Sequence, residues 1–277
     1  MQADRPCRQT DVIALYLGFN PRPVEYFPNM MISGLITRLF HHRMRLMVYG
    51  QSFYNTPEQL YHSLTCGDAA GVIILPPTGS PVLNMLAQSR FPTVAIADRS
   101  AGLPSVLVDN EMGTFMLAEH LSIRGHRKVM YRRDPYEHES ANRRHEAFEK
   151  AATYLSMEVI TTLPADSFGG LSAEESALLR GPLASRPTAV VCWVDSYAYP
   201  VLKFCKQHGL VVPNDVAVAG FDGIALPIDP ARKLTTVHAP WQQVAEQAAD
   251  LLVELLRGGT IPEETVLPVD LQIGDTT

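Results

Sequence analysis

The run DVAVAGFD, Asp215–Asp222, decides how the chain is built. From Val216 to Phe221 no side chain is charged or able to hydrogen-bond. A strand with one wet face alternates polar and apolar residues, so an unbroken apolar run predicts a strand covered on both faces. GVIILPP, Gly71–Pro77, reads the same way. Strands of this kind belong to parallel sheets whose crossover helices lie on both sides, the α/β class.

Working outward, apolar β-rich runs mark strands at Val12–Leu17, Arg45–Tyr49, Gly71–Leu75, Thr93–Ala97, Lys128–Tyr131, Ala189–Trp193 and Val216–Gly220. Amphipathic stretches between them predict helices over Asn29–His42, Pro57–Thr65, Val82–Ser89, Glu111–Arg124, Ser140–Leu155, Ser172–Leu183, Tyr197–His208 and Trp241–Arg257. This order fits one large parallel sheet or two similar ones. Two extended segments, PSVLVDN (Pro104–Asn110) and LTTVHAP (Leu234–Pro240), fall outside the rhythm and read as passages between two lobes. The final TVLPVDLQIGDTT reads as one or two terminal edge strands.

Composition narrows the function. Of the 277 residues, 46% are hydrophobic and 19% charged, an ordinary globular balance with room for two modest domains. The net charge of −6 argues against nucleic-acid binding by this chain alone. No apolar run approaches the roughly 20 residues of a membrane span. Met1–Thr10 shows no signal-peptide pattern. Cys7, Cys66, Cys192 and Cys205 have neither CxxC nor zinc-ligand spacing, which suits a reducing cytoplasm. Phosphate-loop, dinucleotide and nucleophile-elbow motifs are missing from the sequence, and HEAFE (His145–Glu149) lacks the second histidine of a zinc helix. The sequence therefore assigns no catalytic group, metal or cofactor.

What remains is a set of polar residues after apolar strands, the edge where open parallel sheets bind ligands. Asp222 follows VAVAGF, Asp195 follows VVCWV and Asn20 follows IALYLGF. Asp195 also precedes a helix, where aspartate commonly serves as N-cap. SANRRHEAFEKA, Ser140–Ala151, adds an arginine in an unusual place. Helical spacing puts Arg143 with Glu146 and Lys150 on a solvated stripe. It puts Arg144 with Ala147, Phe148 and Ala151 on the inward face, where a guanidinium needs a carboxylate or a ligand oxygen. Phe168, Trp193 and Trp241 are candidate stacking rings.

VDNEMGTFMLAEHLSIRGHRKVMY (Val108–Tyr131), followed in order by SANRRHEAFEKA, VPNDVAVAGFDGIAL, LTTVHAP and AADLLVELLRGG, resembles the LacI/GalR family of bacterial transcription regulators. The resemblance runs from about Thr10 to the end. It implies a two-lobed sensor of the periplasmic binding protein-like type I fold, each lobe a parallel sheet flanked by helices, with three crossings between lobes. The lobes are expected at 11–109 plus 239–267 and at 110–238 plus 268–277. The family's helix arginine corresponds to Arg144 and its strand-end aspartate to Asp222, both as effector contacts. Its Asn-Asp pair corresponds to Val194-Asp195, with valine in place of the asparagine. Phe168, Trp241, Tyr26 and Phe27 fall where the family lines its pocket, and Gly274 stands where an arginine is common.

The resemblance further implies a sugar or related metabolite as effector, bound in the cleft between lobes, and a cytoplasmic repressor. It implies a homodimer formed through Asn29–His42 and Pro57–Thr65. Operator DNA is met through an N-terminal helix-turn-helix head, which this sequence does not include. A transport sugar-binding protein of the same fold is the alternative and requires an export signal. An enzyme using the same cleft is a third reading, with no nucleophile to nominate. If an empty cleft leaves the Arg144 guanidinium solvated, Arg144→Ala is expected to abolish ligand binding at little cost to the fold.

Overall fold

The structure, a computed structural model, describes residues 10–18, 26–50, 54–67, 69–75, 79–136, 138–166, 168–224 and 232–277. The chain divides into two compact units. The first runs up to Leu107 and includes Trp241–Leu267, and the second comprises Val108–Pro240 and Pro268–Thr277.

The first unit carries a six-stranded sheet with β1 (Val12–Leu17), β2 (Arg45–Tyr49), β3 (Ala69–Leu75), β4 (Thr93–Ile96), β5 (Ser105–Val108) and β11 (Glu264–Leu267), in the order β11-β5-β4-β3-β1-β2. Its helices are α1 (Tyr26–His41), α2 (Pro57–Thr65), α3 (Pro81–Gln88) and α8 (Trp241–Leu256). Val244, Ala245, Ala248, Ala249 and Leu252 of α8 have no exposure, so small residues at helical spacing seat this helix closely. Arg38 and His42 both reach Asp250 of α8, at 2.6 and 2.7 Å.

The second unit repeats the plan. Its strands are β6 (Lys128–Arg132), β7 (Glu158–Thr162), β8 (Ala189–Cys192), β9 (Ala217–Asp222), β10 (Thr235–His238) and β12 (Asp270–Gln272), in the order β12-β10-β9-β8-β6-β7. Its helices are α4 (Asn110–Ile123), α5 (Glu139–Tyr154), α6 (Ala173–Arg180) and α7 (Asp195–Gln207). From β7 through β10 every pairing is parallel, while β12 joins β10 antiparallel. Val190, Val218, Met130, Val201 and Cys205 fill the core on one face of this sheet. The chain reverses direction across the sheet between β6 and β8, the place where such sheets offer a crevice at their carboxyl edge.

The two-sheet expectation is thus met, with two corrections. Pro104–Asn110 and Leu234–Pro240 are more than connections, because they contain β5 and β10, the fifth strands of the parallel runs. β7 went unread because Glu158–Thr162 is an edge strand whose exposed and half-buried residues break the apolar run. The final segment does supply two edge strands, as expected, and they join different sheets, β11 beside β5 and β12 beside β10.

Gly113 shows how closely α4 lies on its sheet. A Cβ there would stand 2.7 Å from Val237 and 2.9 Å from Val269. Alanine's helix propensity favours it by about 1 kcal/mol, but overpacking costs about 1–3 kcal/mol. Gly113→Ala is therefore expected to lower stability by about 1 kcal/mol, read as a lower urea midpoint with an unchanged slope.

Candidate functional site

Parallel strands deliver their carboxyl ends to one edge, so in the second unit the ends of β6, β8 and β9 and the first turns of α4, α5 and α7 converge. Arg144, in the second turn of α5, is 3% exposed. Its Nε donates to Asn110 Oδ1 at 2.8 Å, and its Nη1 donates to the Trp193 carbonyl at 2.9 Å. Nη1 also lies 3.5 Å from Asp222 Oδ1. The guanidinium carbon stands 3.6 Å from the centre of the Phe221 ring, a cation–π contact. Nη2 makes no hydrogen bond among the described residues. The idea of a solvated Arg144 is overturned, since the side chain is buried, paired and stacked.

Asp222 ends β9 with φ of +116°, a backbone region that side-chain-bearing residues rarely adopt, at a cost of about 1–3 kcal/mol. Asp195 is not an N-cap. Val194 occupies that position, and Asp195 is the first residue of α7, with no exposure. Its carboxyl accepts from Thr236 Oγ1 and from the Ile224 amide, each at 2.6 Å. Burial, then the neighbouring charge of Asp222, push this carboxyl well above the usual carboxylate range.

Trp193 stands beside these groups. Its ring stacks on His138 (5.9 Å, 18°) and meets the edge of Tyr197 (5.6 Å, 87°). Trp193 Nε1 and Asn110 Nδ2 are buried donors without a hydrogen-bond partner among the described residues, the kind of group that native proteins seldom leave unmet. Phe168 is 65% exposed, on a turn built by Asp166, whose Oδ1 accepts from the Phe168 and Gly170 amides. Gly169 follows at φ +75°, and a Cβ there would strike Tyr197 at 2.8 Å.

The remaining expected contacts lie elsewhere. In the first unit, Trp241 opens α8 at 2% exposure and packs edge-on against Phe27, with centroids 4.8 Å apart. Trp241 Nε1 is likewise buried and unpaired among the described residues. Asn20 and the Tyr26 side chain fall outside the described residues. The second unit thus brings together Arg144, Asp222, Asp195 and Trp193, while Phe27 and Trp241 meet each other in the first.

Sequence reasoning missed several supporting residues. Arg132 and Glu175, both with no exposure, form a bidentate pair at 2.7 and 3.1 Å. Arg132 also donates to the Tyr197, Gly169 and Gly170 carbonyls, tying the Phe168 turn to α7. Two signals were available. Arg132 ends its strand after VMY as Asp222 ends β9 after VAGF, and Ser172-x-x-Glu175 is a capping box, which the structure forms. Asn110, the first residue of α4, and His138, at the N-cap position of α5, carried no signal beyond their place at helix starts.

His138 is held by buried Asp134, whose Oδ2 contacts Nδ1 at 2.5 Å and accepts the His138 amide at 2.8 Å. Burial alone raises the Asp134 pKa, but the His138 and Tyr136 hydrogen bonds and the His138 charge outweigh it and leave it below its ordinary value. A depressed carboxylate stabilises the fold above the unfolded pKa of about 3.9 and loses that contribution as pH falls through its folded pKa. Asp134→Asn is expected to flatten the acid limb of the stability profile below about pH 4. Urea titrations at stepped pH read this directly.

The model of the periplasmic binding protein-like domain family matches residues 118–277. The arabinose metabolism transcriptional repressor of Geobacillus stearothermophilus is 31% identical over 207 residues, covering 68% of this chain and 55% of its own. The HTH-type transcriptional repressor PurR of Vibrio vulnificus (strain CMCP6) is 25% identical over 204 residues, covering 63% and 60%. The chain thus spans between half and two thirds of the length of these relatives. Among solved structures, a transcriptional regulator CelR–cellobiose complex superposes with a TM-score of 0.82 at 23% identity, covering 99% of this chain and 86% of that one. The lac repressor dimer bound to operator and the anti-inducer ONPF gives 0.80 at 22%, covering 98% and 95%. With a family model matching more than half its length and curated repressors as relatives, the chain belongs to the periplasmic binding protein-like domains of the LacI/GalR transcription regulators.

Proposed function

We propose that this chain senses a sugar or related polyhydroxyl metabolite for a transcriptional repressor, and that Arg144 and Asp222 hold that metabolite. The observation that carries the reading is the pairing of a guanidinium and a carboxylate at one sheet edge, with Nη2 of Arg144 still uncommitted among the described residues. One ligand hydroxyl can accept from the first group and donate to the second. Each such charge-assisted bond contributes about 1.5–3 kcal/mol. Trp193, stacked on His138, offers an apolar ring face, and its Nε1 is a further donor. A thermal-shift screen across sugars, purines and organic acids tests this. Ligand at a hundred times its Kd adds about 2.7 kcal/mol, so a polyhydroxyl hit is expected to raise Tm by several degrees. A response to purines or organic acids alone contradicts it.

The same proposal includes a homodimer through the first unit. Ile36 and Phe40, one turn apart on α1, are 54% and 77% exposed, and Met47 and Val48 of β2 are exposed nearby in sequence. A contiguous apolar patch on a surface marks an interaction site, and the dimer reading takes these residues as part of one. The second expected helix adds little, because Leu60 and Leu64 of α2 point inward. Sedimentation at tens of micromolar that shows only the 30.6 kDa species counts against the dimer. Operator contact falls to a separate head of the whole regulator. With a net charge of −6 this chain alone is expected to shift no duplex.

A further inference from the structure

We infer that Asp195 is a positioning residue, clamping the backbone that follows Asp222 so that the Asp222 carboxylate is held toward Arg144. The inference rests on the reading above that Asp222 is an effector contact. The local geometry supports it. Asp222 has φ of +116° and Gly223 has φ of +76°, so two successive residues hold left-handed backbone at the end of β9. An aspartate stays in such a conformation only where its surroundings over-determine it. Asp195 supplies that constraint. One carboxyl oxygen accepts the Ile224 amide at 2.6 Å, two residues beyond Asp222, and the other accepts Thr236 Oγ1 of β10 at 2.6 Å.

Thr236 Oγ1 in turn accepts the Gly223 amide at 3.3 Å, so the two side chains take up both amides that follow the strained residue. The strand is shaped to admit the clamp, since a Cβ at Gly220 would lie 2.2 Å from Asp195 Oδ1. A Cβ at Gly223 would meet His238 at 2.6 Å, which fixes the exit turn from its other side. Asp195 has no exposure. It reaches a ligand only through Asp222, which is why it is a positioning residue and not a contact. Without the clamp, Asp222 is free to relax to negative φ, swinging its carboxylate away from Arg144.

The test is the coupling between Arg144 and Asp222, measured without any ligand. A double-mutant cycle of Arg144→Met and Asp222→Asn is read by urea unfolding in three backgrounds: wild type, Asp195→Asn and Asp195→Ala. In wild type the coupling is expected to be about tenfold in the unfolding constant. Asp195→Asn keeps one acceptor for the Ile224 amide and is expected to retain it within about threefold. Asp195→Ala is expected to reduce it to near unity. If Asp195→Ala does not fold, Thr236→Val removes the β10 anchor alone and is expected to lower the coupling in the same direction.

A residue that merely stabilises the fold lowers the urea midpoint and leaves the coupling intact. An unchanged coupling in Asp195→Ala, or in Thr236→Val where that variant stands in, therefore overturns the proposal. A wild type with no coupling overturns it as well. If the coupling behaves as expected while no sugar or polyol shifts Tm, the clamp stands and the ligand reading fails.

Discussion

Arg144→Ala is expected to lower unfolding stability by about 3–5 kcal/mol, the cost of stripping one member from a buried charge pair, and to abolish effector binding. The guanidinium is 3% exposed and serves Asn110, the Trp193 carbonyl, Asp222 and the Phe221 ring together. Its loss removes a guanidinium 3.5 Å from the buried Asp222 carboxylate, which also feels the neighbouring Asp195. Arg143 is the internal control. Its contacts are Glu111 at 3.3 Å and Glu139 at 3.8 Å, both partly exposed. Such pairs contribute about 0.2–1 kcal/mol, so Arg143→Ala is expected to move Tm by no more than a few degrees and to leave binding intact. Because Arg144 acts on both fold and site, binding is measured well below the mutant's Tm. A variant that melts like wild type contradicts the buried pairing.

Glu175→Ala is expected to be comparably severe, at about 3–5 kcal/mol. Glu175 has no exposure, and it accepts from Arg132, from Thr162 Oγ1 at 2.9 Å and from the Ser172 amide at 2.8 Å. Removing it strands the Arg132 charge and opens the N-terminus of α6. Replacing the pair by Arg132→Met with Glu175→Leu is expected to recover part of the loss, because no buried charge is then left alone. The Phe168 turn is a second readout. With Arg132 released from the Gly169 and Gly170 carbonyls, amide exchange at Ala165, which now donates to Gly170 O at 2.8 Å, is expected to quicken. Equal losses in the single and double variants contradict this account of the pair.

The parts of the fold that were legible owe this to burial on both faces. DVAVAGFD and GVIILPP read as strands because no solvent-facing residue interrupts their apolar runs, and β9 and all of Gly71–Leu75 are indeed buried. β7 hid because an edge strand need not be apolar, and β5 and β10 hid because their short runs sit beside prolines and unit boundaries. Arg144 was legible through helical periodicity alone: Ser140, Arg144, Phe148 and Ala151 share the buried face of α5. Its environment was not legible. The Trp193 partner is a backbone carbonyl, which no side-chain pattern reports, and Asn110 lies 34 positions away. Asp195 misled for a physical reason. Aspartate before a helix is a strong capping signal, but here the helix begins one residue earlier and the carboxyl turns inward to β10. The strain at Asp222 has no signature in residue type.

A crystal structure of the chain with the strongest polyhydroxyl hit from the thermal-shift screen tests the Arg144–Asp222 site most directly. Ligand hydroxyls are expected within hydrogen-bond distance of both the Arg144 guanidinium and the Asp222 carboxylate, with the Trp193 ring against the ligand. A ligand seated anywhere that leaves Arg144 and Asp222 untouched contradicts it.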